Sequence, residues 1–319
     1  MEKKVSVILT TYNGEAHLRE QLDSLLAQTY PLHEIVVQDD GSSDGTWALL
    51  EEYAAATKGL VRIFHNEAGH GVNPNVYSAI RRTTGELVAI CDQDDIWEPE
   101  KIAEQVEKIG DNLLIGGQTI PFSTDGSAVA YDSREPNHHV LRMLFASAIP
   151  GHSMLLRPKL LEMYEPNDVS CFDAQMQVAA AALEKFCYQG VCPVHQRRHA
   201  AATTYTAPVN SSRGMTNMLA YLCDCIRIYP KAKPMMLQRM KAWQKLLESM
   251  PCNTQSHKEA LSMVKLMQEQ STVGRIKLLA FCYRNRRWLF HTVEKDSMML
   301  RIRALLFPLT AVYYFRSIK

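Results

Sequence analysis

Residues 5–46 read VSVILTTYNGEAHLREQLDSLLAQTYPLHEIVVQDDGSSDGT, and their pattern decides the fold. The apolar, β-branched run at 5–9 predicts a strand that is buried on both faces. Leucines at helical spacing between 18 and 26 predict a helix with one buried stripe, which stops near Pro31 because proline cannot continue it. A second apolar run predicts a strand at 34–38. The chain therefore begins with a strand–helix–strand unit.

The same alternation continues beyond this unit. It predicts strands at 61–65 and 87–91, and helices at 44–53, 73–84, 96–109 and 171–185. Strands that alternate with such helices imply right-handed βαβ units and a largely parallel sheet. Past residue 215 the strand signals end, and helices are predicted at 215–229, 234–249, 255–270, 273–291 and 296–316. We therefore expect an α/β domain over residues 1–210 and a helical region over residues 211–319.

Polar residues follow three of the predicted strands. They are residues 10–13 after the first strand, Asp39 and Asp40 after the second, and DQDD at 92–95 after the fourth. Ligands of parallel sheets bind beyond the carboxyl ends of the strands. One such loop alone is often an ordinary polar turn, but three would meet at one edge of the sheet. The pattern therefore predicts a ligand site at that edge.

Composition limits the classes of partner. The 319 residues carry a net charge of +1, with 46% hydrophobic and 22% charged residues, which is ordinary for a globular protein. The charge is uneven, because residues 1–111 carry 9 Lys/Arg against 20 Asp/Glu and residues 274–319 carry 10 against 2. This balance argues against nucleic-acid binding and suggests different partners for the two ends. The eight cysteines include no Cys-x-x-Cys pair and favour buried thiols.

The DQDD loop can hold a divalent cation. Mg²⁺ and Mn²⁺ prefer carboxylate oxygens, and Asp92 and Asp94 place two carboxylates one residue apart at a strand end. A cation there would neutralise a diphosphate leaving group as its bond breaks. The alternative is a solvated acidic turn before the next helix. For a nucleotide, Tyr12 can stack on a base, Thr10 can hydrogen-bond it, and Asp40 can accept from an imino N–H or simply serve its Asp-Gly turn.

The quoted stretch resembles the start of family 2 glycosyltransferases, and TTGELVAICDQDDIWEPEKI at 83–102 is similar to that family's Asp-x-Asp region. The form CDQDDIW resembles bacterial rhamnosyltransferase-like members that build surface polysaccharides. The likeness is close over residues 4–110 and looser over 111–205. It implies a GT-A fold, a nucleotide-diphosphate sugar donor, Mn²⁺ or Mg²⁺, and usually inversion at the anomeric carbon. Residues 1–111 would then form the nucleotide-sugar-binding half and residues 112–210 the acceptor half.

The resemblance implies a role for each matching position. Asp94 would ligate the metal directly, and Asp92 would contact the ribose or the donor sugar. Asp95 would hold the donor or its own loop. Binding of the nucleotide would fall to Thr10, Tyr12 and Asp40.

A general base is implied in the acceptor half. Inversion by one displacement needs a single carboxylate as base, which in the resembled enzymes is an Asp at the start of a helix. Asp173, in CFD at 171–173, fits this position. Ala174 stands where the family often has Trp, so Asp168 is the second candidate. The alternative role of Asp173 is a helix N-cap.

Two further elements are assigned through the resemblance. QRRH at 196–199 resembles the family's Arg-x-His element, so His199 would ligate the metal or contact the diphosphate, and Arg197 would help to neutralise it. The alternative is a basic surface turn. GHS at 151–153 resembles the acceptor-side turn, so His152 would meet the acceptor or the donor sugar.

The basic C-terminal part predicts a second kind of contact. Between residues 274 and 319, arginines flank aromatic and aliphatic runs, which suits an interfacial helix on anionic lipid. The alternative is a helical subdomain that packs on the catalytic core or forms a homodimer. The N-terminus has no signal-peptide pattern, and the apolar run at 304–315 is shorter than the roughly 20 residues that span a bilayer. We therefore expect a cytoplasmic protein, peripheral at the inner face of the cell membrane.

These features together predict an inverting glycosyltransferase that moves a hexose or deoxyhexose to a hydroxyl of a polysaccharide or a lipid-linked glycan. Two alternatives stay open, a nucleotidyltransferase and a catalytically inactive glycan-assembly subunit. A nucleotidyltransferase is expected to have a Gly-rich phosphate loop after its first strand, and residues 10–14 do not form one. Metal-dependent release of a nucleoside diphosphate would separate the transferase from both.

Overall fold

In a computed structural model of the chain, structure is described for residues 2–123, 133–198 and 215–315. The strands are β1 (Val5–Thr11), β2 (Glu34–Asp39), β3 (Val61–His65), β4 (Leu87–Cys91), β5 (Ile96–Trp97), β6 (Leu114–Ser123), β7 (Leu155–Leu156) and β8 (Phe186–Arg198). The helices of the first 198 residues are α1 (Glu15–Leu26), α2 (Thr46–Ala56), α3 (Val72–Arg81), α4 (Lys101–Lys108), α5 (Val140–Met143) and α6 (Phe172–Ala182). Later helices are α7 (Met215–Ser249), α8 (Gln255–Gln268), α9 (Thr272–Arg284) and α10 (Met298–Thr310).

The strands form one mixed sheet in the order β3-β2-β1-β4-β7-β6-β8-β5. The first four strands are parallel, with Val7 opposite Ile35 on one side and Ala89 on the other. β7 runs antiparallel to both β4 and β6, and β6 pairs in parallel with β8. The predicted α/β architecture, with a mostly parallel sheet flanked by helices and a helical C-terminal region, is confirmed.

The residues of β1 alternate between two apolar layers, as expected for a strand buried on both faces. Val7 and Leu9 pack with Leu22 of α1 on one side of the sheet. Ile8 packs on the other side with Val76 of α3, in a layer that extends into the C-terminal helices. This two-sided core leaves the carboxyl ends of the parallel strands as the open edge of the sheet.

The predicted helix at 96–109 begins only at Lys101. Ile96 instead pairs with His195 in the β5–β8 ladder. Pro99 explains the difference, because a proline disfavours helical geometry in the residue before it. The acidic loop at 92–95 is therefore tied to the end of β8 rather than to a helix.

The predicted break between helices at 230–233 is wrong, since α7 runs without interruption from Met215 to Ser249. It contains Pro230 and Pro234, which lie four residues apart. The N–H that Pro234 lacks would have bonded to the carbonyl of Pro230, so the two prolines disturb one side of the helix only. Burial of Trp243, whose Nε1 donates to the Leu144 carbonyl at 2.8 Å, anchors α7 to the α/β part of the chain.

One stretch of the described chain, Met298–Phe315, is long and apolar enough to cross a membrane, with a mean hydropathy of 1.3. A share of 39% of it is buried inside the protein. The core helix of a protein outside the membrane meets the same criterion, so this is weak evidence for a span.

Lys101 is a fully buried cation beneath the site edge. Its Nζ lies 3.4 Å from the ring centroid of Trp97 and donates to Gln105 Oε1 at 3.2 Å. Burial lowers the pKa of Lys101 from 10.5 to about 8. Protonating it in the folded chain at pH 7 therefore costs about 3 kcal/mol relative to the unfolded chain.

We expect Lys101→Met to raise the free energy of unfolding at pH 7 by about 2 kcal/mol. The gain is smaller than the penalty removed, because the hydrogen bond and the ring contact of Lys101 are lost as well. The folded-state pKa lies below the unfolded one, so the penalty fades as the pH rises from about 8 towards 10.5. Urea unfolding near pH 9.5 should show that this increase in the free energy of unfolding is at most about half of its value at pH 7. Lys108→Met, at a surface pair with Glu104, is the control and should change little. A less stable, pH-indifferent Lys101→Met variant would contradict this.

Candidate functional site

The predicted polar loops meet at the carboxyl edge of β1, β2 and β4. Gln93 joins two of them, because its Oε1 accepts from the Tyr12 N–H at 2.8 Å and its Nε2 donates to the Tyr12 carbonyl at 3.1 Å. Thr10 lies at the end of β1, half-buried. The Tyr12 side chain is 58% exposed, so its ring is available for stacking on a base. The structure thus brings the β1 loop and the acidic loop together.

The buried carboxylate of Asp39 fixes the conformation of the loop after β2. Its carboxylate accepts from the Thr11 hydroxyl at 2.9 Å and from the N–H groups of Gly41 and Ser42 at 3.1 and 2.9 Å. Gly41 adopts a φ of +87°, in the region that favours glycine. Asp39 therefore shapes the turn, and the next residue is left to face the site.

Asp40 lies on the rim of the same loop. Its Oδ2 accepts from the Gly71 N–H at 2.9 Å, and its Oδ1 accepts from Asn66 Nδ2 at 2.6 Å. His70 lies 3.6 Å away. Asp40 is thus oriented by neighbouring loops, at the same edge as Tyr12.

Asp92, Asp95 and His152 form the tightest group of the site. His152 Nδ1 lies 2.9 Å from Asp92 Oδ2 and 3.4 Å from Asp95 Oδ2. His152 and Asp95 are almost completely buried, while Asp92 is open to solvent on one side. The short 3₁₀ turn at Gly151–Ser153, which precedes β7 beside β4, delivers His152 to the acidic loop.

Burial and charge shape the ionisation of this group. Burial raises the pKa of Asp95, and the neighbouring carboxylates add to the rise. Burial alone would lower the pKa of His152, but the charge of Asp95 and the hydrogen bond to Asp92 outweigh it and raise that pKa. The two carboxylates therefore favour a positive charge at this position.

The donor set fits a divalent cation. Asp92, Asp95 and His152 each offer one ligand atom, and these atoms lie within 4.8 Å of one another. Asp95 Oδ2 and His152 Nε2 are buried and lack a hydrogen-bond partner in the described structure. A metal ion would replace the imidazolium proton, since a histidine must be neutral to ligate. Asp94 lies in the same loop but outside this group of three.

Arg197 clamps the acidic loop. Its N–H donates to Asp95 Oδ1 at 3.0 Å, and its Nε donates to the Asp94 carbonyl at 2.9 Å. Its Nη2 pairs with Glu20 of α1. Arg197 is buried at the end of β8, so it reaches the site as a support of the loop. His199, the other residue proposed from this element, lies outside the described residues.

Asp173 lies in the first turn of α6, close to the acidic loop. The backbone of Gly151 packs against Phe172 so tightly that a Cβ atom there would lie 2.6 Å from the ring. Asn73 of α3 fixes the start of α6, since its Oδ1 accepts from the Phe172 N–H at 2.8 Å. Burial raises the pKa of Asp173, and the charge of Asp92 raises it further. The helix cap is Cys171, so Asp173 is not the N-cap.

Sequence reasoning missed Arg239 of α7. Burial lowers the pKa of its guanidinium, and the charge of the nearby Asp173 opposes this effect. Its Nε is buried without a hydrogen-bond partner among the described residues. No motif marks it, because it comes from the helical region far along the chain. Asp168 is exposed in the loop before α6.

Comparison with known proteins identifies relatives of the part that carries this site. The sequence model described as Glycosyl transferase family 2 matches residues 6–161. EpsE of Bacillus subtilis (strain 168) is 33% identical over 178 residues, which are 50% of this chain and 63% of that protein. EpsH of the same strain is 30% identical over 169 residues, 50% of this chain and 48% of that protein. Both are named provisionally as glycosyltransferases.

The chain spans only part of the length of these relatives. The match covers only 27% of a Rickettsia felis relative described as an uncharacterized glycosyltransferase. S. aureus TarS 1–349, solved in complex with UDP-GlcNAc, superimposes with a TM-score of 0.56 at 17% identity, over 98% of this chain and 89% of that one. At this identity the likeness shows the fold, which is GT-A. Residues 6–161 thus carry the sequence pattern of glycosyl transferase family 2, over just under half of the chain.

Proposed function

We propose that the chain is an inverting glycosyltransferase that moves a hexose or deoxyhexose from a nucleotide-diphosphate sugar to a hydroxyl of a polysaccharide or a lipid-linked glycan. One observation carries the proposal. An acidic, histidine-bearing group (Asp92, Asp95 and His152) lies beside the loop of Tyr12 and near Asp173, which is half-buried. Such a site has a place for a nucleotide, a cation and a base at one sheet edge.

In this proposal the nucleotide binds over the ends of β1 and β2. Tyr12 stacks on or flanks the base, Thr10 hydrogen-bonds the base or the ribose, and Asp40 accepts from an imino N–H. The complex of TarS with UDP-GlcNAc supports a nucleotide sugar as the class of donor. Arg197 keeps the acidic loop in place beside the diphosphate, through its bonds to Asp94 and Asp95.

The proposal assigns Mn²⁺ or Mg²⁺ to the acidic loop. Asp94 is the ligand inferred from sequence, and Asp92, Asp95 and His152 add a donor set of carboxylates and imidazole. When bound there, the ion neutralises the charge that develops on the diphosphate leaving group. His199 is a further ligand in this proposal.

Asp173 acts as the base. Its carboxylate takes the proton of the acceptor hydroxyl, whose oxygen attacks the anomeric carbon from the face opposite the diphosphate. One displacement inverts the configuration and needs no second carboxylate. Burial raises the pKa of Asp173, which makes it a stronger base than an exposed carboxylate.

A panel of nucleotide sugars tests the proposal. With Mn²⁺ present, one donor should raise the melting temperature and release its nucleoside diphosphate when acceptor is added. An assembly subunit would bind without turnover, and a nucleotidyltransferase would release pyrophosphate instead. If no donor binds or turns over in the presence of metal, the transferase proposal fails.

Removing Gln93 should weaken donor binding. Gln93→Ala breaks both hydrogen bonds to the Tyr12 backbone and loosens the β1 loop from the acidic loop. We expect roughly a tenfold rise in the dissociation constant for the donor, as for two lost polar contacts. Calorimetric titration checks this, with the exposed Gln255→Ala on α8 as control. Unchanged donor affinity would show that the hydrogen bonds of Gln93 to the Tyr12 backbone do not shape the nucleotide pocket.

A further inference from the structure

Helices α9 and α10 pack together and carry large apolar side chains on the side that faces away from the protein. The exposed fractions are 60% for Val273 and 61% for Ile276 on α9, and 70% for Met298, 41% for Ile302 and 44% for Leu305 on α10. Single exposed apolar residues are common on proteins, but aligned rows on two neighbouring helices are not. We call this surface the α9–α10 face.

The face lies opposite the sides by which the two helices pack. Leu278 is buried on α9 and Ala304 on α10. Because successive residues are about 100° apart on a helix, Ile276 and Ile302 lie on the reverse sides of these buried residues. Both helices therefore have an apolar side that packs on the protein and a second apolar side that is exposed. This pattern is typical of a helix with apolar surroundings on two opposite sides.

Three cations adjoin the α9–α10 face. Arg275, Lys277 and Arg284 form no ion pair within 4.0 Å among the described residues, although the charge of Lys277 acts on the neighbouring Glu269. By contrast, Arg301 is paired with Asp296 at 2.7 Å. The face is thus apolar at its centre and positive along the α9 side.

The apolar surface continues into a groove between α7, α9 and α10. The groove has a volume of about 470 Å³, and Leu279 and Leu305 line it as well as being exposed. Lys233, Arg275 and one acidic residue, Glu269, line it too, which places two cations and a single carboxylate beside apolar walls. The combined surface suits a partner that offers hydrocarbon and anionic groups side by side.

We propose that the α9–α10 face lies on an anionic lipid bilayer, with both helices in the plane of the interface. Interfacial helices bury an apolar side about 5–10 Å into the headgroup boundary, and basic residues beside it meet lipid phosphates. A symmetric contact between two copies would instead bring Arg275, Lys277 and Arg284 of both copies into one interface, where they outnumber the neighbouring Glu269. The proposal does not depend on the donor or the reaction.

Pelleting with vesicles tests it, on the full chain without donor or metal. We expect binding to phosphatidylcholine vesicles that contain about one third phosphatidylglycerol, and less binding to phosphatidylcholine alone or in high salt. Ile276→Glu/Ile302→Glu should lower the affinity at least about tenfold. Lys277→Gln/Arg284→Gln should lower it roughly 30-fold, at about fivefold per charge.

Val191→Glu is the matched control, since Val191 is 49% exposed on β8 and should leave binding unchanged. All substituted side chains are exposed, so melting temperatures should stay close to that of the original chain; if the glutamate pair misfolds, the glutamine pair carries the test. Three results would overturn the proposal. They are no binding to either vesicle, an equal loss in Val191→Glu, or a solution dimer that Ile276→Glu/Ile302→Glu dissociates.

Discussion

Asp173→Asn is expected to lower kcat by a factor of about 10²–10⁴, the usual contribution of a general base. The amide keeps the size and the hydrogen bond of the carboxylate to the Ala174 N–H, so the start of α6 should stay folded. Donor affinity should remain within a few-fold of the original value, because Asp173 faces the acceptor in this mechanism. Single-turnover kinetics and a donor titration measure the two quantities separately.

Asp168→Asn is the matched control for Asp173→Asn. It removes the second candidate base, an exposed carboxylate five residues earlier. We expect it to turn over almost normally. If Asp168→Asn is inactive and Asp173→Asn is active, the base assignment is reversed.

The pH profile gives a second check on Asp173. Its pKa is raised above 3.8 by burial and by the nearby charge of Asp92. Since only the ionised carboxylate accepts a proton, activity should fall on acidification at a pH higher than for an ordinary aspartate.

Asp92→Asn/Asp94→Asn is expected to abolish metal-dependent turnover, with a loss of at least about 10³. The double variant removes the Asp-x-Asp carboxylates and leaves the His152 ring beside Asp95 alone. Chelation of the metal from the original chain should give a similar loss, which added Mn²⁺ reverses. Asp111→Asn, an exposed carboxylate beyond α4, serves as the control.

Nucleotide-binding isotherms with and without Mn²⁺ separate a metal role from a structural one. In the original chain Mn²⁺ should tighten nucleoside diphosphate binding, and in Asp92→Asn/Asp94→Asn it should not. If Mn²⁺ tightens binding equally in both, the cation is held elsewhere.

Local sequence predicted the four parallel strands β1 to β4 well. The predicted bounds of β3 and β4 agree with the structure, because each is an isolated apolar run between turn residues. The convergence of the loops after β1, β2 and β4 followed from the parallel order of the strands alone.

Contacts between distant residues could not be predicted in the same way. His152 reaches Asp92 across 60 positions, through a 3₁₀ turn before a two-residue strand, so periodicity carries no sign of it. Arg239 comes near Asp173 because α7 packs against α6, which is a contact between distant parts of the chain. Tertiary packing decided both features.

The position of Mn²⁺ in crystals grown with Mn²⁺ and a nucleoside diphosphate tests the central claim most directly. Anomalous scattering locates the ion without any assumption about the donor sugar. The account predicts a single strong peak in contact with carboxylates of the Asp92–Asp95 loop, with the diphosphate beside it and the base against Tyr12. A peak away from that loop, or a nucleotide bound elsewhere on the protein, would contradict it.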